Sequence, residues 1–101
     1  MTHTFYSDPG HGWLAVPRQE LIELGILQRI SSYSYQRGRT VYLEEDCDLP
    51  TYARAIEAKG QQLEMKRAKP ANDYSRIRTY DYFGATPWEL SESRRRTSNE
   101  S

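Results

Sequence analysis

Two histidines and an aspartate near the start of the chain have the side-chain types of a metal site. His3, Asp8 and His11 surround a Pro-Gly turn, and two histidines with a carboxylate are a known ligand set. Their spacing matches no helical metal motif, and no serine or cysteine is placed to pair with either histidine as nucleophile and base. The sequence therefore predicts an ordinary turn here, with no catalytic residue, no metal ion and no cofactor.

The single cysteine, Cys47, lies in the acidic run 44–48. Nearby negative charge raises the pKa of a thiol and opposes formation of the thiolate nucleophile. The run also lacks the glycine-centred spacing of a calcium loop. We therefore expect a buried or inert cysteine, and carboxylates that compensate the positive N-terminal end of a following helix.

Tyrosines and arginines are interleaved in two segments, which form the candidate binding surface. Such mixtures occur in protein interface hot spots and in base-stacking sites, but tyrosine is also an ordinary strand former. The pattern leaves open a surface for a protein or small ligand, a nucleic-acid site, and plain sheet packing. The candidate binding residues are Tyr33, Tyr35, Arg37, Arg39, Tyr42, Arg76, Arg78, Tyr80, Tyr82 and Trp88.

The composition is that of one small domain with a thin core. The chain has 101 residues, of which 37% are hydrophobic, and its 14 basic and 14 acidic side chains cancel. Neutral charge excludes the uniform positive field on which sequence-independent nucleic-acid binding relies. No run reaches the length of about eighteen apolar residues that a membrane span needs, so we expect no membrane partner and a cytoplasmic protein.

The first quarter of the chain predicts two strands and a helix. β-formers over residues 3–7 end at the Asp-Pro-Gly turn 8–10, and a short apolar run at 13–16 forms the second strand. A helix over 17–24 has proline at its first residue, and Gly25 ends it.

Residues 32–45 predict a hairpin whose two strands alternate with period two. Its central turn residues are either Arg37-Gly38 or Gly38-Arg39. Both turns give the sheet a tyrosine face, with Tyr33, Tyr35 and Tyr42, and an aliphatic face, with Val41 and Leu43.

A second helix begins after the N-cap Asp48 and ends at Gly60, with one apolar stripe along it. Residues 62–69 predict one more strand or a helical continuation, ended by Pro70.

Together these elements predict an α+β fold with a small, mainly antiparallel sheet in the order β-β-α-β-β-α. Residues 1–70 form the compact domain, and both helices cover its aliphatic face. An irregular aromatic and basic C-terminal arm, 71–92, packs on the domain or on a neighbouring subunit, and the polar tail 93–101 is disordered. Because the core is thin and the arm aromatic, we expect a homo-oligomer.

Three stretches, 5–14, 32–38 and 41–48, resemble a group of small accessory proteins carried by bacteriophages and prophages. The resemblance implies a non-catalytic protein in the cytoplasm of a bacterial host. Such proteins often bind host factors stoichiometrically, so it also implies a host protein or small signalling ligand as partner, with defence systems among the targets. It identifies no catalytic residue.

Residues 14–26, followed by the glycine-centred hairpin, are similar to the AbrB-type swapped-hairpin DNA-binding domain. That resemblance implies a dimeric transcriptional regulator as the alternative function. The chain differs from the pattern by a strand ahead of the motif, a second helix after the hairpin, and neutral charge.

Overall fold

The structure is a computed structural model that describes residues 2–84, so Trp88 and the tail 93–101 lie outside the described residues. In chain order the elements are β1 His3–Ser7, β2 Gly12–Pro17, α1 Arg18–Glu23, a 3-10 helix Leu27–Arg29, β3 Tyr35–Arg37, β4 Thr40–Glu44, α2 Leu49–Ala58, β5 Met65–Arg67, a 3-10 helix Arg76–Thr79 and β6 Asp81–Tyr82. The predicted α+β class with a small sheet is confirmed. No helix within residues 2–84 has the length and apolar character needed to cross a membrane.

The six strands of the described part form one sheet in the order β5-β1-β2-β4-β3-β6. All neighbours are antiparallel except β1 and β5, which run parallel. Of the two predictions for residues 62–69, the structure has the strand. The segment after Pro70 adds the two-residue edge strand β6 beside β3, so the arm contributes Asp81 and Tyr82 to the sheet.

The β3–β4 hairpin has Gly38-Arg39 as its central turn residues, with Gly38 at φ +59°. A left-handed φ costs glycine no steric strain, which is why this turn suits it. Tyr35 pairs with Tyr42 across the strands, so these two tyrosines share a face as predicted. Tyr33 lies in the turn before β3, which is shorter than predicted, so it takes no part in strand pairing.

The helix α1 begins one residue later than predicted. Pro17 is the last residue of β2 and has extended backbone, because pairing of β2 with β4 continues through it to Thr40. The predicted end of the helix is correct: Gly25 has φ +74°, and the amide of Ile26 donates to the carbonyl of Leu21.

The aliphatic core lies on one face of the sheet, beneath α1 and α2. Val41 and Leu43 are fully buried there together with Leu21 of α1 and Ile56 of α2. The whole cluster consists of Phe5, Leu14, Val16, Leu21, Ile26, Ile30, Val41, Leu43, Tyr52 and Ile56. The hairpin strand β4 therefore turns its aliphatic side to the helices, as the alternation predicted.

Gly12, at the start of β2, leaves no room for a side chain. A Cβ atom there would lie 2.3 Å from Cζ of the buried Phe5 and 3.0 Å from Oε1 of Glu45. We expect Gly12→Ala to lower the free energy of unfolding by about 1 to 3 kcal/mol, because the core must shift to admit the methyl group. Urea unfolding measures this loss.

Gly10→Ala is the matched control for Gly12→Ala. Its Cβ would lie 3.0 Å from an Nη atom of Arg78, so a shift of a few tenths of an ångström is enough to admit it. The loss should therefore be smaller than at Gly12. Equal losses for the two variants would contradict the argument from the close approach of Phe5.

Candidate binding site on the aromatic face

The face of the sheet opposite the aliphatic core is aromatic. Strand pairing places Tyr6 beside Trp13, Trp13 beside Glu44, Tyr42 beside Ala15, and Tyr35 beside both Tyr42 and Tyr82. We call this surface the aromatic face; its rings belong to Tyr6, Trp13, Tyr35, Tyr42 and Tyr82. Because side chains alternate along each strand, the pairing register that buries the aliphatic residues on one face places these aromatic residues on the other.

Residues 74–80 cover part of the aromatic face. Ile77 is buried, and the ring centroids of Tyr80 and Tyr42 are 5.1 Å apart. The guanidinium of Arg37 lies 5.0 Å from the centroid of the Tyr80 ring. Tyr35 and Tyr42 are half-buried as a result. Burial raises the pKa of both their hydroxyls. The hairpin tyrosines are therefore partly packed, and they are not a freely exposed surface.

A buried aspartate attaches this covering segment to the sheet. The side chain of Asp8 is fully buried and accepts two hydrogen bonds from the guanidinium of Arg78, at 2.7 and 2.9 Å. It also accepts the backbone N–H groups of Gly10, His11 and Ser75, each at 3.0 Å. The bonds from Arg78 hold the pKa of Asp8 well below its usual range, although burial opposes them. Asp8 is thus an anchor for the arm.

The histidines weighed as metal ligands lie apart from each other. His3 is buried, with Nε2 2.9 Å from Oε1 of Glu20, and the hydroxyl of Tyr52 donates to Oε2 of the same carboxylate at 2.6 Å. Burial and this bond raise the pKa of Tyr52. His11 is exposed and lies beside Trp13. No group of three potential metal ligands occurs within residues 2–84.

The buried side chain of Asp48 positions the turn that carries Tyr33. It is only 2% exposed and accepts hydrogen bonds from the amide and hydroxyl of Ser31 and from the hydroxyl of Ser34. Asp48 is the N-cap residue of α2 as predicted, but its side chain makes no capping hydrogen bond, because its oxygens bind the serines instead. These hydrogen bonds hold the backbone on both sides of Tyr33, just before Tyr35 begins β3.

An open pocket of about 910 Å³ lies beside the covering segment on the aromatic face. Trp13 and Tyr35 form part of its wall, with ring centroids 6.1 Å apart in an edge-to-face arrangement, and Tyr82 stacks on Tyr35 at 5.4 Å. Tyr33 and Tyr82 are 69% and 62% exposed. We call this the aromatic pocket; its other lining residues are His11, Ile30, Ser32, Glu44, Asp46, Cys47, Arg78, Phe83 and Gly84.

Glu44 contributes a buried carboxylate to the wall of the aromatic pocket. It is 7% exposed, and its Oε1 accepts the N–H groups of Asp46 at 2.9 Å and Cys47 at 2.8 Å. Its Oε2 lies 3.6 Å from Nδ1 of His11. The described residues give it no lysine or arginine partner. Glu44 therefore stabilises the turn that follows it, and Glu44 and Asp46 are the two carboxylates of the acidic run that line the pocket.

Cys47 is exposed at this pocket, so the prediction of a buried cysteine is wrong. Partial desolvation, together with a hydrogen bond to Glu44 and the neighbouring carboxylates, raises the pKa of its thiol. The thiolate is thereby disfavoured, in line with the alternative prediction of an inert thiol.

Seven of the predicted binding residues line one of two pockets. Tyr33, Tyr35, Arg78 and Tyr82 line the aromatic pocket, whereas Tyr42, Arg76 and Tyr80 line a second pocket of about 710 Å³. Arg37 and Arg39 are exposed on either side of Gly38 and line neither pocket, and Trp88 lies outside the described residues.

Trp13 and Glu44 belong to the aromatic pocket but were not among the predicted binding residues. Trp13 lay in an apolar run that predicted only a covered strand, and Glu44 lay in an acidic run. Their pairing across β2 and β4 brings them together, and such a pairing has no local signal in the sequence.

Comparison with known proteins gives no match for this chain among family models, curated proteins or solved structures.

Proposed function

We propose that the protein is a non-catalytic, phage-type accessory protein that binds a host protein stoichiometrically through the aromatic pocket. The observation that carries the proposal is the pair of exposed tyrosine rings, Tyr33 and Tyr82, at a pocket walled by Trp13 and Tyr35. Tyrosine and tryptophan are enriched among the residues that dominate binding energy at protein interfaces, and clustered exposed aromatics on a small protein mark interaction sites.

The framework behind the pocket supports a binding role. Asp48 fixes the turn that carries Tyr33, and the Asp8–Arg78 pair fixes the segment that leads to Tyr82. A surface held in place before binding loses less conformational entropy when a partner docks. The likeness to phage accessory proteins favours a partner in the cytoplasm of a bacterial host, with defence systems as the class of target.

A pull-down tests this function with the full chain as bait in a bacterial host lysate. Truncating an aromatic anchor at an interface centre commonly costs at least about 2 kcal/mol, or roughly thirtyfold in affinity. We therefore expect a stoichiometric host protein to be captured by the wild type and lost with the double variant Tyr33→Ala/Tyr82→Ala. Mass spectrometry identifies and quantifies what is retained.

The matched control is Ile22→Ala, which truncates an exposed apolar side chain on α1, away from the aromatic pocket. It should retain the partner as the wild type does. Capture that is the same for all three proteins would contradict binding at the pocket. Nanomolar binding of a DNA duplex, with affinity falling steeply as salt rises, would favour the AbrB-like alternative instead.

A further inference from the structure

We propose that the aromatic pocket accepts an arginine or lysine side chain of the partner protein. This inference rests on the proposed function and names the chemistry that the site recognises. Its first support is the carboxylate of Glu44, which is buried in the pocket wall without a lysine or arginine partner among residues 2–84. Buried charges in proteins are normally paired, because burial removes the water that would otherwise stabilise them.

The hydrogen bonds of Glu44 leave it able to bind a cation. Both backbone donors, from Asp46 and Cys47, go to Oε1. Oε2 lies 3.6 Å from Nδ1 of the exposed His11, and the thiol of Cys47 also hydrogen-bonds to this carboxylate. The exposed carboxylate of Asp46 adds a second negative charge to the same pocket. A guanidinium or ammonium group would supply the missing positive charge.

The aromatic walls favour a cation as well. Trp13, Tyr35 and Tyr82 line the pocket, and Tyr33 adds a fourth ring that is 69% exposed. The face of an aromatic ring attracts a nearby cation, and tryptophan and tyrosine do so best. Carboxylate and aromatic groups together match a basic side chain, which has a charged head and an apolar stem.

Arg78 does not fill this role, although it lines the pocket. Its guanidinium is bound through two hydrogen bonds to Asp8, so its charge is already neutralised. It also lies 5.5 Å from the ring centre of Trp13 and 4.8 Å from that of Tyr74. The aromatic face thus already holds one arginine between a carboxylate and aromatic rings, which is the arrangement we propose for the partner's side chain.

A protein side chain is a better occupant than a free ion, because the exposed rings of Tyr33 and Tyr82 at the pocket offer contacts to the surface around an inserted residue. Tyr33 and Tyr82 would contact the surface around an inserted residue, and rings in that position exclude water from the contact. A free small cation would leave both rings exposed.

An NMR titration of the full chain with blocked amino acids tests the ligand chemistry. The probes are Nα-acetyl-arginine methylamide and its neutral isostere, Nα-acetyl-citrulline methylamide, followed at the indole N–H of Trp13 and the amide of Glu44. We expect saturable shifts at millimolar arginine probe and binding at least about tenfold weaker for citrulline, because citrulline lacks the positive charge that pairs with the carboxylate. Equal affinities, or no shifts with the arginine probe, would overturn the proposal.

Glu44→Gln tests the carboxylate directly, with Glu45→Gln as matched control. Glutamine keeps an acceptor for the two backbone N–H groups, and Glu45 is exposed and does not line the pocket. Arginine probe binding should weaken about tenfold in the first variant and less than about twofold in the second. Equal weakening would overturn the role of Glu44. Should Glu44→Gln fail to fold, Asp46→Asn replaces it, with a several-fold loss expected and no loss overturning the proposal.

The alternative occupant to be tested is the chain's own arginine run 94–96, and the test replaces all three arginines with glutamine in the full chain. Unchanged probe affinity supports an external partner, whereas tenfold tighter binding would show that the tail fills the pocket and would overturn the proposal.

The pull-down distinguishes failure of the proposed ligand chemistry from failure of the proposed function. If partner capture depends on Tyr33 and Tyr82 but the arginine and citrulline probes bind equally, only the ligand chemistry fails; if capture is also independent of these tyrosines, the proposed function fails too.

Discussion

Asp8→Asn is expected to lower the free energy of unfolding by about 3 kcal/mol, the loss typical of removing one member of a buried ion pair. The substitution removes the charge that neutralises Arg78 and replaces an acceptor oxygen with a donor beside the N–H groups of Gly10, His11 and Ser75. Residues 74–80 should then loosen from the aromatic face. Urea unfolding gives the free energy, and hydrogen exchange at the amide of Ile77 reports the segment.

The same pair makes stability depend on pH in a direction that its chemistry fixes. The pKa of Asp8 is lower in the folded than in the unfolded chain, where it is about 3.9. Its contribution is therefore fully present above about pH 5 and is lost as the pH falls below about 4, because the unfolded chain then binds a proton that the folded chain does not. Wild-type stability should fall through this range, and the fall should be smaller in Asp8→Asn.

Asp73→Asn is the matched control, since Asp73 is an exposed aspartate with the same formal charge. Its effect on unfolding should stay within about 0.5 kcal/mol, as is usual for surface substitutions. A similar loss for both variants, or an acid-induced fall that Asp8→Asn does not reduce, would show that the Asp8–Arg78 pair does not anchor the segment.

Leu43→Ala is expected to cost about 3 kcal/mol, within the range of about 2 to 5 kcal/mol for large-to-small changes in a core. Leu43 is fully buried in the aliphatic core, where a lost side chain leaves a cavity. Tyr35→Ala should cost less, about 1 to 2 kcal/mol, because Tyr35 is half-buried and contacts Trp13 and Tyr82 by its ring. Urea unfolding of both variants measures the difference.

Binding should respond in the opposite order. Tyr35→Ala removes part of the wall of the aromatic pocket and should abolish partner capture at a temperature where it is still folded, whereas Leu43→Ala should retain capture under the same condition. If the Tyr35 variant loses more stability than the Leu43 variant, the aromatic face is the main core of the domain, and the division of the sheet into a core face and a binding face is wrong.

Local signals were enough to predict most of the secondary structure. The alternation around Gly38 predicted the hairpin and put Val41 and Leu43 on the core side, and Gly25 marked the end of α1. The errors arose where a residue has two possible partners. Pro17 can begin a helix or end a strand, and pairing with β4 decided for the strand. The side chain of Asp48 can cap a helix or bind serines, and in the fold it accepts hydrogen bonds from Ser31 and Ser34.

Periodicity, turn residues and composition were sufficient to predict the fold class, the aliphatic face of the hairpin and the aromatic character of the candidate site. Only the tertiary structure decided which of these residues form a pocket. Asp8 and Arg78 are 70 positions apart in the chain, and Trp13 meets Glu44 only through the pairing of β2 with β4. Such contacts depend on strand order and on the path of the arm across the sheet. Strand order and the path of the arm are fixed by packing between distant segments, so they leave no periodic or local pattern in the sequence.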